Sequence, residues 1–183
     1  MKTKLISTPL PAVSLAEAKS YFRILHDDED VDISRVIRAA QEKAEQITNR
    51  VFVKSTFEMT VDNFSAVELE KTPFLSVTKI EYISTEDSTK EVTDFDYEIN
   101  MIDDRALVTV SNAPSDLKSG RGNVIITYEA GYEIVPSQIQ SYILIEGLTM
   151  FENRHLIKAE GEIDDGSAKY YHHLLDSYRV IPI

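Results

Sequence analysis

The sequence predicts an α+β fold in which a helical core carries an inserted antiparallel β region. Changes in the spacing of apolar residues along the chain predict this fold. Apolar residues recur every three or four positions over residues 15–25 and 33–47, as they do on one face of a helix. From Ser55 the period falls to two, as in a half-buried strand, and a third helical stretch follows Pro136. We therefore expect a core of two N-terminal helices, a long central apolar helix and a C-terminal helix.

The changes of period divide the chain into four segments. Residues 1–54 should contain the N-terminal helices of the core, and residues 55–132 the β insertion. Residues 133–157 should contain the central helix, and residues 158–183 a linker with a C-terminal docking helix and tail. A chain of 183 residues with 43% hydrophobic side chains can bury one sizeable core, or a core and a small appended one.

The N-terminal helices have clear boundary signals. Ser14 and Glu17 form a capping box, which predicts that the first helix begins directly after Ser14. The acidic run over residues 26–30 ends this helix, and the second helix should reach about Arg50. The apolar stripe of the second helix consists of Ile33, Val36, Ile37, Ala40, Ala44 and Ile47.

The β insertion is predicted from short alternating runs. Phe57, Met59 and Val61 alternate with polar residues, which is typical of a strand with one buried face. Gly131 ends the last of these runs. Further strands are expected over residues 67–71, 76–84, 95–99, 106–110 and 123–129.

The central helix is expected to have Pro136 in its first turn, where proline is tolerated, and to run to about Arg154. Its apolar residues lie on nearly every side, so a single neighbouring element cannot cover them all. We therefore expect this helix to be central in the fold or shared with a neighbouring subunit.

The C-terminal segment combines an acidic linker over residues 158–167, a short amphipathic helix over residues 168–178, and an apolar end. Two alternatives remain open: the helix docks on its own domain, or it inserts into a groove of a partner protein. Its tyrosine and arginine residues favour an interface. The candidate docking residues are Tyr171, Leu174, Leu175, Tyr178, Arg179, Ile181 and Ile183.

Composition argues against several classes of protein. The chain has 19 Lys and Arg against 31 Asp and Glu, a formal net charge of −12, so we expect no basic surface for sequence-specific DNA binding. The absence of cysteine excludes disulfides and cysteine zinc sites. Residues 142–151 are apolar but far shorter than the roughly 20 residues of a membrane span. We expect a soluble chain with no membrane partner.

Residue patterns that carry catalysis are weak. Neighbouring carboxylates occur over residues 27–30, 103–104 and 164–165. A glycosidase needs two carboxylates held across a cleft. Adjacent acidic residues in a turn are instead usually solvated. The four histidines include no i, i+4 pair for zinc, and residues 120–122 predict a hairpin turn. We expect no enzyme activity, no catalytic residue, no metal and no cofactor.

Several motifs follow one another in a characteristic order. Val13-Ser-Leu-Ala-Glu-Ala-Lys19 leads through the acidic run to a long helix that closes at Asn49-Arg50. Pro73-Phe-Leu-Ser-Val77, the strand VIITYEAGY over residues 124–132 and the ending Phe151-Glu-Asn-Arg154 then follow. This order resembles the head-tail connector (adaptor) family of tailed bacteriophages. Where that family has glycine in a T-G-R-like helix end, this chain has Asn49, which also tolerates left-handed backbone geometry.

The resemblance implies a structural ring, commonly of twelve copies, that extends the portal channel in the virion neck after synthesis in the host cytoplasm. Its partners would be the portal protein, stopper or tail proteins, and other copies of itself. Genomic DNA would pass through without sequence-specific binding. In related adaptors the C-terminal segment docks on the portal, so by position the candidate docking residues become portal-docking residues.

Other functions remain open. A neck stopper or tail-completion protein would share the ring and its partners but should be richer in β structure throughout. A DNA-packaging accessory protein would need a basic recognition helix or a P-loop, and the sequence predicts neither. An unidentified hydrolase would need a cleft with convergent carboxylates.

Overall fold

The structure is a computed structural model that describes residues 2–7, 10–92, 97–102, 105–111, 113–153 and 171–180. These described residues form three α-helices, one 3-10 helix and eight strands. The chain divides into two compact units, Met1–Pro9 with Val53–Glu133 and Leu10–Phe52 with Ile134–Ile183. We call the first the β unit and the second the helical unit.

The β unit contains two antiparallel sheets. Its strands are β1 (Lys2–Leu5), β2 (Ser55–Val61), β3 (Val67–Glu68), β4 (Phe74–Ile83), β5 (Thr89–Val92), β6 (Tyr97–Ile102), β7 (Arg105–Val110) and β8 (Val124–Ala130). The larger sheet has the strand order β1-β2-β8-β4-β5, and the smaller one has the order β3-β7-β6. Neighbouring strands are antiparallel in both sheets.

The core of the β unit follows from the alternation seen in the sequence. Phe57, Met59 and Val61 of β2 are buried and the residues between them are partly exposed, which confirms the predicted period of two. Opposite them on β8 lie Tyr128 and Ile126, which are also buried. The smaller sheet adds three buried side chains, Val67, Ala106 and Val108.

The helical unit is built from α1 (Leu15–Phe22), α2 (Asp30–Thr48), α3 (Ser137–Glu152) and a C-terminal 3-10 helix (His172–Tyr178). The predicted capping box is confirmed: the Glu17 amide donates to Ser14 Oγ at 3.2 Å, and the Ser14 amide donates to Glu17 Oε2 at 2.8 Å. Asn49 ends α2 with a φ of 57°, in the left-handed geometry expected of a residue in the glycine position. No helix among the described residues is both long and apolar enough to cross a membrane.

The packing of α2 on α3 depends on one glycine. The apolar stripe of α2 is buried at Ile33, Ile37, Ala40 and Ala44. Gly147 of α3 faces this stripe so closely that a Cβ atom would lie 2.9 Å from Cδ1 of Ile37. Small residues on both helices therefore allow their close approach.

The predicted fold class is wrong. Helices and strands contribute about equally, because the described residues form four helices and two antiparallel sheets with eight strands, and one strand, β1, precedes the first helix. The central helix is short. Pro136 is its N-cap and has a ψ of 140°, which is not helical, so the helix begins only at Ser137, and it ends at Glu152. The short amphipathic helix expected over residues 168–178 is, in its described part, a seven-residue 3-10 helix, His172–Tyr178.

The central helix is also not buried all round. Its buried residues, Ile139, Tyr142, Ile143, Glu146 and Gly147, have the spacing of a single face. The remaining apolar side chains of α3, among them Leu144 and Leu148, are half-buried. The helix therefore packs within the unit through one side.

Candidate docking site in the helical unit

Residues 171–180, here called the C-terminal segment, pack against α2 and α3. Leu175 is fully buried in this packing. The Val180 amide donates to the Thr48 carbonyl at 2.9 Å, and Arg50 Nε donates to the Tyr178 carbonyl at 2.6 Å. In the structure this segment therefore docks on its own domain, which is one of the two alternatives that the sequence left open.

A buried carboxylate fixes the beginning of the segment. Glu146 of α3 is only 4% exposed. Lys43 Nζ on α2 lies 2.7 Å from Glu146 Oε1, and the Tyr171 hydroxyl donates to Glu146 Oε2 at 2.7 Å. The Tyr142 hydroxyl is 3.5 Å from the same oxygen, at the outer limit of a hydrogen bond. A buried charge needs such partners, so Glu146 connects α2, α3 and the C-terminal segment.

An aromatic cluster surrounds this carboxylate. The rings of Tyr142 and Tyr171 have centroids 5.4 Å apart, and His172 stacks on Tyr171 at 5.3 Å. The Tyr142 and His172 rings meet edge to face at 5.6 Å. Apolar ring contacts and charge-assisted hydrogen bonds thus act at the same place.

Both tyrosines of the cluster are held in their neutral form. Burial, followed by the hydrogen bond to the Glu146 carboxylate, raises the pKa of Tyr171 to about 12. Burial and the negative charge of Glu146 raise the pKa of Tyr142 far above its ordinary value. Loss of either proton would place a second negative charge beside Glu146.

These shifts predict how stability depends on alkaline pH. The folded protein holds the Tyr171 proton more tightly than the unfolded chain, so this contribution is complete below pH 10 and is lost as the pH rises through about 12. We expect the free energy of unfolding to fall more steeply over this range in the wild type than in Tyr171→Phe. Urea unfolding at several pH values measures both slopes. Burial raises the pKa of Tyr128, in the β unit, to about 12, but this residue is present in both proteins and its contribution cancels in the comparison. Equal slopes would therefore contradict the prediction.

Two of the predicted docking residues already make contacts within the helical unit. Tyr171 bonds to Glu146, and Leu175 is fully buried. Neither side chain presents its full surface to a partner in this conformation. Ile181 and Ile183 lie outside the described residues.

The other three predicted docking residues lie nearer the surface. Leu174 and Tyr178 are half-buried, and the Tyr178 hydroxyl lies 3.2 Å from Oε1 of Gln138. Arg179 is exposed, with Nε 3.7 Å from the Asp176 carboxylate. Arg179 is the one Lys or Arg of the segment, and its side chain is 49% exposed.

The acidic run before α2 acts as a structural turn. Lys19 Nζ lies 2.5 Å from Asp27 Oδ1 and 2.6 Å from Asp30 Oδ1. The hydrogen bond with Lys19 lowers the pKa of Asp27, and the same pairing raises the pKa of Lys19. The carboxylate pairs at 103–104 and 164–165 lie outside the described residues. Within the described part of the chain, no cluster of three or more histidine or acidic side chains could hold a metal ion.

Sequence reasoning missed Glu146 and Lys43. A signal was present, because Glu146 is the one charged residue within the apolar run over residues 142–151. A charged residue in such a run is rarely buried unless it is paired, so its position predicted a partner on another element. Its partner, 103 residues away in sequence, could not be identified from local spacing.

No protein family model matches the chain, and no curated protein matches it. Three similar solved structures are of gene transfer agent (GTA) particles. A chain in the neck of an empty GTA particle, computed with C6 symmetry, is 18% identical with a TM-score of 0.78. Chains in the virion of a native GTA particle and in the neck of a native GTA particle computed with C12 symmetry are each 17% identical, with TM-scores of 0.78 and 0.72. Each match covers 100% of this chain and 97% of the other. The chain therefore shares, over its full length, the fold of chains in these neck and virion structures.

Proposed function

We propose that this chain is a structural, non-enzymatic subunit in the neck of a phage or phage-like particle. The observation that carries the proposal is the match with the GTA neck chain, with a TM-score of 0.78 over 100% of this chain and 97% of that one. A match over both full lengths favours one role for the whole molecule over a shared module. The motif order between residues 13 and 155 supports the same class of protein.

The finer proposal is an adaptor ring between the portal and the next neck or tail protein. The matched neck structures were computed with C6 and C12 symmetry, which supports assembly of this chain with copies of itself. Exposed apolar side chains in each unit, such as Leu25 and Val31 in the helical unit and Met101 in the β unit, are consistent with surfaces that become covered on assembly.

Portal docking would involve the accessible side of the C-terminal segment. Arg179 offers a cation there, and Leu174 and Tyr178 offer half-buried apolar surface beside it. Arginine and tyrosine are the residue types that dominate binding energy at interfaces. Leu175 and Tyr171 would then support the segment from beneath.

The charge of the chain suits a DNA channel. Each copy has a formal net charge of −12, so a ring would repel the phosphate backbone through its summed field. DNA would pass through such a channel without sequence-specific binding.

A stopper or tail-completion protein is the second candidate. The observation that favours it is the strand content, because a stopper should be rich in β structure and the described residues include eight strands. A stopper would bind a neck that already carries its adaptor, whereas an adaptor would bind the bare portal.

Electron microscopy of portal rings mixed with the purified chain tests the proposal. An adaptor adds a coaxial ring to the bare portal, and we expect Arg179→Glu to weaken this binding. Arg121→Glu makes the same charge change at an exposed turn of the β unit and should leave binding unchanged. Point substitutions are preferable to removal of the segment, because removal would also delete the buried Leu175. Binding only to portals already loaded with an adaptor would favour the stopper, and binding to neither would contradict a neck role.

A further inference from the structure

Two sheet edges of the β unit combine exposed apolar side chains with a continuous strand. β1 is the edge strand of the larger sheet, and its Leu5 is 45% exposed. β6 is the edge strand of the smaller sheet, and its Ile99 and Met101 are 37% and 51% exposed. Among the described residues, β1 pairs only with β2, and β6 only with β7. An edge of this kind offers alternate main-chain amides and carbonyls to another strand.

The remaining two edges are less suitable. β3 has only two residues. β5 exposes Thr89, Lys90 and Glu91, and Lys90 is already paired with Asp116 at 2.6 Å. Neither of these two edges exposes an apolar side chain, because Val67 of β3 and Val92 of β5 are buried.

The side chains of β1 and β6 match on both faces of a shared sheet. Leu5 lies opposite the buried Phe57, so it faces the core side of its sheet, and Lys4 lies on the outer side opposite Glu58. Ile99 and Met101 lie opposite the buried Val108 and Ala106, so they also face the core side. Because side chains alternate with a period of two, pairing the two strands in register places apolar residues together on the core side.

The outer side of the same pairing would bring opposite charges together. Lys2 and Lys4 are exposed on the outer side of β1, and Glu98 is exposed on the outer side of β6. Pairing β1 with a second β1 would instead place lysines near lysines, and pairing β6 with β6 would place Glu98 near Glu98. Like charges across a strand pair are destabilising, so the unlike pairing is favoured.

We propose that β1 of one copy adds to β6 of the neighbouring copy, so that the sheets of adjacent subunits become continuous. The proposal rests on the proposed ring. A closed ring requires two different complementary patches on every subunit, and β1 and β6 are two such patches on one unit. The occupant of each edge is therefore a second copy of this chain, bound by main-chain hydrogen bonds, a small apolar contact and the lysine–glutamate attraction.

Disulfide cross-linking tests this interface cleanly, because the natural chain has no cysteine. Leu5→Cys, carrying a size tag, is mixed with untagged Ile99→Cys, assembled on portal rings and oxidised. We expect a reducible heterodimer, since facing residues of paired strands are close enough for a disulfide. Met101→Cys is the second same-face partner, which allows for a shift of register by two residues. Asn100→Cys is the matched control, because it lies on the opposite face of β6 and should not cross-link with Leu5→Cys.

A charge exchange gives a second, independent readout. Lys2→Glu and Glu98→Lys should each reduce the fraction of chains found in rings, and the double variant should recover it. Both side chains are exposed and lie opposite uncharged residues, Thr60 and Thr109, so neither change should alter folding of the monomer.

The outcomes separate this inference from the proposed function. One outcome is that rings form on the portal with no same-face cross-link and in the same amount after the charge substitutions. This result would refute the β1–β6 interface and leave the neck role intact. If no ring forms under any condition, both the adaptor role and the interface are refuted.

Discussion

Replacing Lys43 with methionine is expected to destabilise the helical unit by about 2–4 kcal/mol, because the change leaves the Glu146 carboxylate buried without its cation. The expected loss of stability is smaller than for a fully buried ion pair, because the Lys43 side chain is 43% exposed and water partly screens its salt bridge. Urea unfolding followed by circular dichroism measures the change.

Two comparisons make this prediction specific. The double variant Lys43→Met with Glu146→Gln should recover much of the lost stability, because it removes the buried charge as well as its partner. Arg35→Met breaks an exposed pair with Asp32 on the same helix, with a distance of 3.0 Å, and should cost less than about 1 kcal/mol. Equal losses in Lys43→Met and Arg35→Met would contradict the role assigned to Glu146.

Replacing Gly131 with alanine is expected to destabilise the β unit by about 2–5 kcal/mol, from backbone strain and a clash together. Gly131 has a φ of +118°, which L residues rarely adopt. A Cβ atom would also lie 2.6 Å from the carbonyl carbon and oxygen of Val53, and these backbone atoms cannot move without displacing the chain that enters β2.

Gly122→Ala is the matched control for this substitution. Gly122 has a φ of +71°, and its nearest obstacle is the side-chain methyl of Thr60 at 3.1 Å, which can rotate away. We expect a loss of about 1–2 kcal/mol there, set mainly by the left-handed backbone. The thermal unfolding midpoints of the two variants provide the comparison, and a smaller loss in Gly131→Ala than in Gly122→Ala would show that the Val53 contact is not limiting.

Local features of the fold were predictable because they depend on neighbouring residues. The capping box at Ser14, the alternation in β2, the left-handed Asn49 and the end of β8 at Gly131 are each specified by a few adjacent positions. The fold class was wrong because it depends on distant pairing. β1 contains only four residues and becomes a strand through its register with β2, more than fifty positions later, which propensity alone does not reveal.

The candidate site was predictable only in part. The tyrosines of the C-terminal segment indicated a docking element, and the structure shows that this segment packs on α2 and α3 of its own unit. Its anchor could not be foreseen, because the Lys43–Glu146 pair joins two helices that are remote in sequence. Portal docking by Arg179 and its neighbours stays a prediction.

The most direct test of the central claim is electron microscopy of particles produced by the source system with and without this chain. A neck subunit predicts that heads and tails remain unjoined in its absence, and that the complete particle contains a ring between portal and tail into which this fold can be placed. Intact joined particles assembled without the chain, with a neck of unchanged density, would contradict the account.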